Sequence, residues 1–114
     1  MTGAEDIAGD RPDRSNDVVD DTGSHRFRYR ENGQEATLIY RQSPGRLTLV
    51  HTGVPEALGG RGIGGRLVQA AVERAARSGE VIAPGCPYAR AWLTKHQEEA
   101  ARVTIDWSEP PTPE

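Results

Sequence analysis

The feature that most constrains the fold is a change of hydrophobic period across a glycine-rich stretch in the middle of the chain. Between residues 25 and 52, apolar and polar residues alternate, as they do in half-buried β-strands. From Ile63 onward, apolar residues return every three or four positions, as they do on one face of an α-helix. Residues 59–65, GGRGIGG, lie between the two patterns and contain five glycines. The sequence therefore predicts a sheet followed by a helix, joined by a loop whose backbone must stay free of side chains.

The alternating region is expected to form a three-stranded antiparallel meander. Asn32-Gly33 and Ser43-Pro44-Gly45 interrupt the alternation with the residues that hairpin turns favour. These interruptions divide the region into three strands joined by short turns.

The second half of the chain is expected to add a helix, a strand and another helix. The first helix ends at Gly79, which favours the left-handed conformation of a C-cap. Residues 81–83 form a short buried strand, and residues 88–103 resume a helical pattern with Trp92 and Leu93 in the core. A right-handed crossover places the fourth strand parallel to the third. The predicted class is a mixed α/β fold of the α+β kind, with the order β-β-β-α-β-α.

Three regions are expected along the 114-residue chain. Residues 1–24 have seven acidic residues against two arginines and few aliphatic residues, which predicts a disordered, dispensable acidic arm. Residues 25–107 form the only domain. Residues 108–114, SEPPTPE, are expected to be a proline-rich tail.

Cysteine usage and hydropathy limit the class of protein. The single cysteine, Cys86, excludes an intrachain disulfide and a cysteine-rich zinc site, and we expect no metal. No apolar run approaches the roughly 20 residues of a membrane-spanning helix. Acidic residues stand where a signal peptide would have basic ones. We therefore expect a soluble cytoplasmic protein that is a monomer or a weak dimer.

The expected domain has twelve basic and eight acidic residues, a net charge of about +4 that suits an anionic ligand. Nucleic acid is also anionic and would suit this positive charge. However, the basic residues are spread along the chain, with no RNA-binding aromatic signature, helix-turn-helix or zinc pattern. We therefore do not expect nucleic acid as a partner.

The glycine loop has the composition of a phosphate-binding loop. Glycines allow backbone amides to turn into one concavity at the start of a helix, where phosphate oxygens bind. A Walker loop is excluded, because it ends in Gly-Lys-Ser or Gly-Lys-Thr and Gly65 is followed by Arg66. The dinucleotide pattern GxGxxG is present at Gly60, Gly62 and Gly65, but no acidic residue follows the next strand to hold a ribose.

Two separated motifs, GGRGIGGRL and CPYARAWLTKH, resemble the Gcn5-related N-acetyltransferase superfamily, in particular its small single-domain YjdJ-like branch. The superfamily signature is Arg or Gln, two residues, Gly, one residue, and Gly or Ala. Its glycines fall on Gly62 and Gly64. Its first position falls on Gly59, and Gln97 stands where the branch has proline. The resemblance covers about residues 25–105.

The resemblance implies that acetyl-CoA is the cosubstrate and lies in a V-shaped opening between the third and fourth strands. Its phosphates would contact the glycine loop, and its pantetheine arm would pair with strand edges opened by an irregularity. We expect that irregularity at TGVP, where Gly53 tolerates a bulge and Pro55 cannot donate a hydrogen bond. The expected binding residues are Thr52, Gly53, Val54, Gly59, Gly60, Arg61, Gly62, Ile63, Gly64, Gly65 and Arg66.

Three residues are candidates for the chemistry of acetyl transfer, which needs a base for the amine, a polarised carbonyl and a proton for the departing thiolate. His51 is the candidate base, because histidine titrates near neutral pH. Cys86, at the end of the fourth strand, would face the same thioester and either donate a proton or accept the acetyl group transiently. Tyr88 would donate a proton. Each also has a structural alternative, as a strand-end, buried or helix-start residue.

The sequence thus favours an N-acetyltransferase that moves an acetyl group from acetyl-CoA to an amine on a protein or a small molecule. A CoA-binding module without turnover is the first alternative, because the chain lacks the helices with which larger relatives enclose an acceptor. A protein-interaction module that uses the acidic arm is the second, and it leaves the glycine loop unexplained.

Overall fold

Residues 17–111 are described by a computed structural model, and they form a five-stranded sheet with three α-helices. The strands stand in the sheet in the order in which they occur along the chain. A 3₁₀ turn at Glu56–Leu58 leads from the sheet to the glycine loop. The elements are β1 Val19–Asp21, β2 Arg26–Glu31, β3 Gln34–Ser43, β4 Arg46–Gly53, α1 Ile63–Ser78, β5 Val81–Pro84, α2 Pro87–Lys95 and α3 Gln97–Ala100.

The predicted antiparallel meander is confirmed for β2, β3 and β4. Asn32 and Gly33 form the two-residue turn between β2 and β3, with φ angles of 52° and 77°. Both angles are left-handed, as this tight hairpin turn requires. The second turn contains Gly45, with a φ angle of 72°. The two short turns fix the register of the three strands.

The predicted parallel pairing of the strands before and after α1 is also confirmed. Gly79 ends α1 with a φ angle of 80°, and its N–H donates to the carbonyl of Ala75 at 2.8 Å. β5 then lies parallel to β4, with Leu47 opposite Ile82. The chain therefore has the mixed α/β fold that its sequence predicts.

The core lies between α1 and one face of the sheet, called the inner face below. On this face Phe27, Leu38 and Tyr40 are at most 1% exposed. The opposite face of β2 and β3, called the outer face, has side chains that remain partly or fully exposed. α1 contributes a buried stripe at three- and four-residue spacing, formed by Leu67, Val68, Ala71, Val72 and Ala75.

The predicted C-terminal helix is divided in two. α2 and α3 meet at His96, whose φ of -118° and ψ of 67° are not helical. The ring of His96 stacks on Trp92 with 4.0 Å between the ring centroids. Leu93 is fully buried as predicted, while Trp92 is partly buried.

The expectation of a disordered arm up to residue 24 is wrong for β1, because this strand pairs antiparallel with β2 at the edge of the sheet. Asp20 in β1 accepts a hydrogen bond from the hydroxyl of Tyr40 at 2.7 Å and forms an ion pair with Arg74 at 3.0 Å. This long-range contact offsets the weak strand propensity of Val19–Asp21, so a deletion through residue 24 would remove a strand of the sheet. Residues 1–16 and 112–114 lie outside the described residues, and the remainder of the arm and tail stays a prediction.

The last described segment also joins the sheet, beyond the expected boundary at residue 107. Ile105 forms a parallel bridge with Ile82 on the free edge of β5. Arg46 donates to Asp106 at 2.8 Å and to Glu109 at 2.9 Å. Hydrogen bonding by Ser108, followed by the Arg46 guanidinium, lowers the pKa of Asp106 to about 2. This pairing fastens residues 105–109 to the start of β4.

Arg74 is the centre of a largely buried polar cluster that joins β1, β3, α1 and the start of β5. Its side chain is 12% exposed, and it contacts Glu80 at 3.0 Å, Asp20 at 3.0 Å and the Tyr40 hydroxyl at 2.9 Å. Glu80 is 7% exposed and also accepts a hydrogen bond from Ser78. Burial, followed by the hydrogen bond to Asp20, raises the pKa of Tyr40 to about 12.

We predict that Arg74→Met lowers the free energy of unfolding by about 3 kcal/mol, because it leaves the buried carboxylate of Glu80 without its cation. Urea unfolding followed by circular dichroism measures this loss. Arg77→Met, at an exposed position of the same helix, is the matched control and should change the free energy by less than about 0.5 kcal/mol. Equal effects of the two substitutions would contradict the structural role of the cluster.

Candidate active site

The two parallel strands β4 and β5 separate before β4 ends. Their last residue pair is Leu49–Pro84, whereas β4 continues to pair with β3 as far as Gly53, which lies opposite Thr37. Beyond Leu49, the edge of β4 that would face β5 borders an opening. The third and fourth strands of the sequence prediction are β4 and β5 here, so this opening corresponds to the expected V-shaped opening.

A β-bulge in β4 accounts for the separation. Ile39 pairs with His51 and its neighbour Tyr40 pairs with Leu49, so Val50 is an extra residue in β4. A bulge bends its strand and increases the local twist, which turns β4 away from β5. The irregularity was expected at TGVP, and this position is wrong. The bulge lies earlier in β4, at Val50, where the sequence has neither glycine nor proline.

β5 contributes to the separation from its own side. Its last residue, Pro84, has no N–H to continue the ladder. Gly85 then turns the chain by donating to the carbonyl of Ala83 at 3.0 Å. The chain enters α2 at Cys86, the N-cap residue, with Pro87 in the first turn.

A contact between Thr52 and Cys86 spans the opening. Oγ1 of Thr52 lies 3.2 Å from Sγ of Cys86, and either atom can donate the hydrogen bond. Thr52 is opposite the buried Leu38, which places its side chain on the inner face. Cys86 is 2% exposed. The sequence predicts Thr52 only as one of the binding residues near the irregularity, and its side-chain contact with Cys86 depends on the bulge.

His51 lies on the other side of the sheet. It is opposite Ile39 on the outer face, and a Cβ added at Gly53 would lie 3.8 Å from Nε2 of His51. The sequence predicted that His51 and Cys86 face the same point. Instead, the bulge brings Thr52 to Cys86 and turns His51 to the exposed outer face.

Gly60 and Gly62 are required by backbone conformation. Both have a φ of 75°, in the left-handed region where side chains are strained. Gly62 is also the N-cap of α1 and has no side chain with which to cap the first turn. A helix begins with N–H groups that have no partner within the helix. This part of the loop therefore has the features of an anion-binding helix start.

Gly64 and Gly65 lie instead against α2, where an added Cβ would meet the side chains of Tyr88 and Trp92. A Cβ at Gly64 would lie 2.7 Å from the hydroxyl of Tyr88, and a Cβ at Gly65 would overlap Nε1 of Trp92. Both distances are too short for a side chain. The five glycines thus occur for different reasons. Gly59 has a φ of -69°, so its backbone conformation does not require glycine.

The two arginines of the loop have different surroundings. Arg61 forms a double contact with Glu31 at 2.7 and 2.9 Å, which ties the loop to the end of β2. Arg66 lies over the ring of Tyr29, with 5.4 Å between its Cζ and the ring centroid. Its Nη1 is buried and has no hydrogen-bond partner within residues 17–111. Arg66 therefore has more capacity than Arg61 to meet an added anion.

Tyr88 lies at the start of α2, close to the first turn of α1. Burial, followed by the charge of Cys86, raises the pKa of Tyr88 above its ordinary value. The residue is 45% exposed, while its hydroxyl lies against Gly64. A phenol in this setting remains protonated at neutral pH and can donate a proton.

The chain was compared with known protein families and with curated proteins. A family model described as GCN5-related N-acetyl-transferase matches residues 26–103. No curated protein matches the chain. In the described part of the chain, no helix has the length and apolar character needed to cross a membrane.

We predict that Gly65→Ala destabilises the protein, although the same change in a helix interior normally stabilises it by about 1 kcal/mol. Overpacking against Trp92 costs about 1 to 3 kcal/mol, and the stack on His96 restricts movement of the indole. Urea unfolding should show a lower midpoint. In a Trp92→Leu background, where the indole is absent, Gly65→Ala should instead raise the free energy of unfolding.

Ala76→Gly, at an exposed position of α1, measures the ordinary difference between alanine and glycine in this helix. A stabilising Gly65→Ala in the parent chain would contradict the packing explanation.

Proposed function

This chain belongs to the GCN5-related N-acetyltransferase family, and we propose that it transfers an acetyl group from acetyl-CoA to an amine. The observation that carries the proposal is the opening between β4 and β5, with the Thr52–Cys86 contact on one side and His51 on the other. The CPY motif at the start of α2 supports assignment to the small YjdJ-like branch. The unpaired Cys86 favours a reducing compartment such as the cytoplasm.

Acetyl-CoA is proposed to enter from the side of the helices. The first-turn N–H groups of α1 would bind its pyrophosphate, helped by the partial positive charge of the helix start. The unpartnered Nη1 of Arg66 supports a second contact to this group. The free edge of β4 near Thr52 and Val54 would pair with the pantetheine arm, and an N–H there would polarise the thioester carbonyl.

In the direct route, the amine nitrogen bonds to the thioester carbon while the carbon–sulfur bond breaks. His51 accepts the proton that the amine loses, and Tyr88 donates a proton to the departing CoA thiolate. The position of Tyr88 beside the first turn of α1 supports this assignment, and a phenol is protonated at neutral pH when the thiolate forms. Solvent returns the proton from His51 to Tyr88 after the acetylated amine leaves.

Cys86 offers a second route in which the protein holds the acetyl group briefly. Its sulfur bonds to the acetyl carbon, the bond from that carbon to the CoA sulfur breaks, and the thiol proton moves to CoA. The amine then takes the acetyl group and returns a proton to Cys86. The hydroxyl of Thr52, 3.2 Å from the sulfur, supports this route because it orients the thiol.

A CoA-binding protein without turnover is the alternative function. The burial of Cys86, only 2% exposed, favours it, because reactive cysteines are usually partly exposed. Acetyl-CoA consumption over a pool of amines separates the two functions. Turnover with any amine supports the enzyme, and CoA binding by calorimetry without turnover supports the binding protein.

We predict that His51→Ala and Cys86→Ala each lower acetyl transfer by about 10²-fold, the usual contribution of a general acid or base. CoA affinity should change little, because neither side chain is proposed to hold the phosphates. Steady-state kinetics and calorimetry measure the two quantities. If both variants keep full activity, the chemistry belongs to Tyr88 or to positioning alone.

Intact mass spectrometry separates the two routes. After incubation with acetyl-CoA and no acceptor, the covalent route predicts an adduct of about 42 Da, one acetyl group, on the parent chain and none on Cys86→Ala. Cys86→Ser should also lack the thioester, while its hydroxyl can still relay a proton. An adduct that persists on Cys86→Ala would exclude Cys86 as its site.

A further inference from the structure

We propose that the acetyl acceptor is a primary amine on an acidic peptide segment that lies extended on the outer face of the sheet. The proposal rests on the acetyltransferase function above and names the class of its second substrate. Its starting point is His51, the proposed base, which is exposed on this face. The acceptor is therefore expected on the side of the sheet away from the helices.

Arginines of β2 lie near His51 on the outer face, with one strand between them. Arg26, Ile39 and His51 form one row across β2, β3 and β4, and Arg28, Thr37 and Gly53 form the next. Neighbouring strands lie about 4.8 Å apart, so the Cα atoms of Arg26 and His51 are separated by roughly 10 Å. An arginine side chain covers much of that distance. A carboxylate close to the reacting amine would therefore come within reach of Arg26.

The charge of this face is unbalanced. Arg26, Arg28, Arg30 and Arg41 share it with the carboxylates of Asp21 and Glu35, and Asp17 lies beside Arg28 and Arg30, so the arginines still outnumber the carboxylates. Those two carboxylates already contact Arg28 and Arg30, at distances from 2.7 to 3.7 Å. Within residues 17–111, Arg26 has no ion pair, although the hydrogen bond from Arg30 and, after it, the charge of Arg26 lower the pKa of Glu35. Within the same residues, the buried Nε atoms of both Arg26 and Arg28 have no hydrogen-bond partner. An anionic partner would balance the charge of the Arg26 guanidinium.

The spacing of the arginines favours a peptide over a small anion. Arg26, Arg28 and Arg30 occupy alternate positions of β2, so their Cα atoms repeat about every 7 Å. An extended peptide repeats its own same-side residues at this distance, which allows several acidic side chains to meet the arginines in register. Arg28 and Arg30, with Asp17 and Val19, also line a shallow depression of about 310 Å³, large enough for a peptide side chain.

Two matched peptides test the proposal. Both have a blocked N-terminus and a single central lysine; one has glutamate and the other glutamine at alternate positions. With the parent chain, kcat/KM for acetyl transfer should be about tenfold higher for the glutamate peptide, the equivalent of one charged hydrogen bond. Fluorescence anisotropy of the labelled peptides should give the same preference in binding, and added salt should weaken it.

Arg26→Gln should reduce the preference to about twofold or less, which leaves only the weaker attraction of the paired arginines. Arg30→Gln, at a side chain that is 72% exposed, is a second variant whose folding does not depend on burial, and it should also lower the preference. Arg77→Gln, at an exposed position of α1, removes the same charge elsewhere and should retain the full preference.

A preference of less than twofold in the parent chain, or one that survives both outer-face variants, would overturn the proposal. Transfer to a small amine such as butylamine but to neither peptide would overturn it as well, while the acetyltransferase function would stand. Absence of transfer to every amine would instead reject that function, and the anisotropy preference would then decide between an acidic-peptide surface and none.

Discussion

One extra residue in β4 governs both the opening and the orientation of the groups around it. Val50 interrupts the pairing with β3, directly after the last residue pair between β4 and β5. A one-residue shift moves every following side chain to the opposite face of a strand. Without the bulge, the inner face that holds Leu49 would also hold His51, and Thr52 would point outward. With it, Thr52 reaches Cys86 and His51 is exposed on the outer face.

The elements that the sequence predicted are those that depend on local signals. Alternation around Phe27 and Leu38, the turn at Asn32-Gly33, and the Gly79 cap each express a preference of a few neighbouring residues. The bulge has no such signal, because Val50 is a good strand residue and its position follows from pairing with a distant strand. Alternation continued without the bulge would place His51 on the inner face with Leu49, so the pattern that predicts the sheet does not determine the face of His51.

β1 and the last described residues were missed for a related reason. Val19–Asp21 has two aspartates and little strand propensity, so its composition indicates an arm. The strand is held by the contact of Asp20 with Arg74, 54 positions away. Glu109 is likewise held by Arg46, across 63 positions. Contacts of this range can be recognised only after the fold is known, because nothing in either segment specifies its partner.

The glycines of the loop serve two purposes, backbone conformation and helix packing, and the sequence pattern does not distinguish between them. Gly60 and Gly62 provide left-handed backbone before the helix, whereas Gly64 and Gly65 allow Tyr88 and Trp92 to approach it. The second pair brings the start of α2 against the start of α1, beside the proposed donor site. A substitution at Gly64 or Gly65 would therefore disturb packing as well as any phosphate contact, and loss of CoA binding in such a variant would not by itself identify a phosphate ligand.

β4 is the element that the two proposed substrates would share. Thr52 and His51 are neighbours in sequence and lie on opposite faces, so the donor side and the acceptor side would be separated by the thickness of one strand. The helices cover the donor side, while the outer face of β2 and β3 remains exposed. A face of this kind cannot select a partner by enclosing it. Selection then depends on charge and strand spacing, the two properties that Arg26, Arg28 and Arg30 combine.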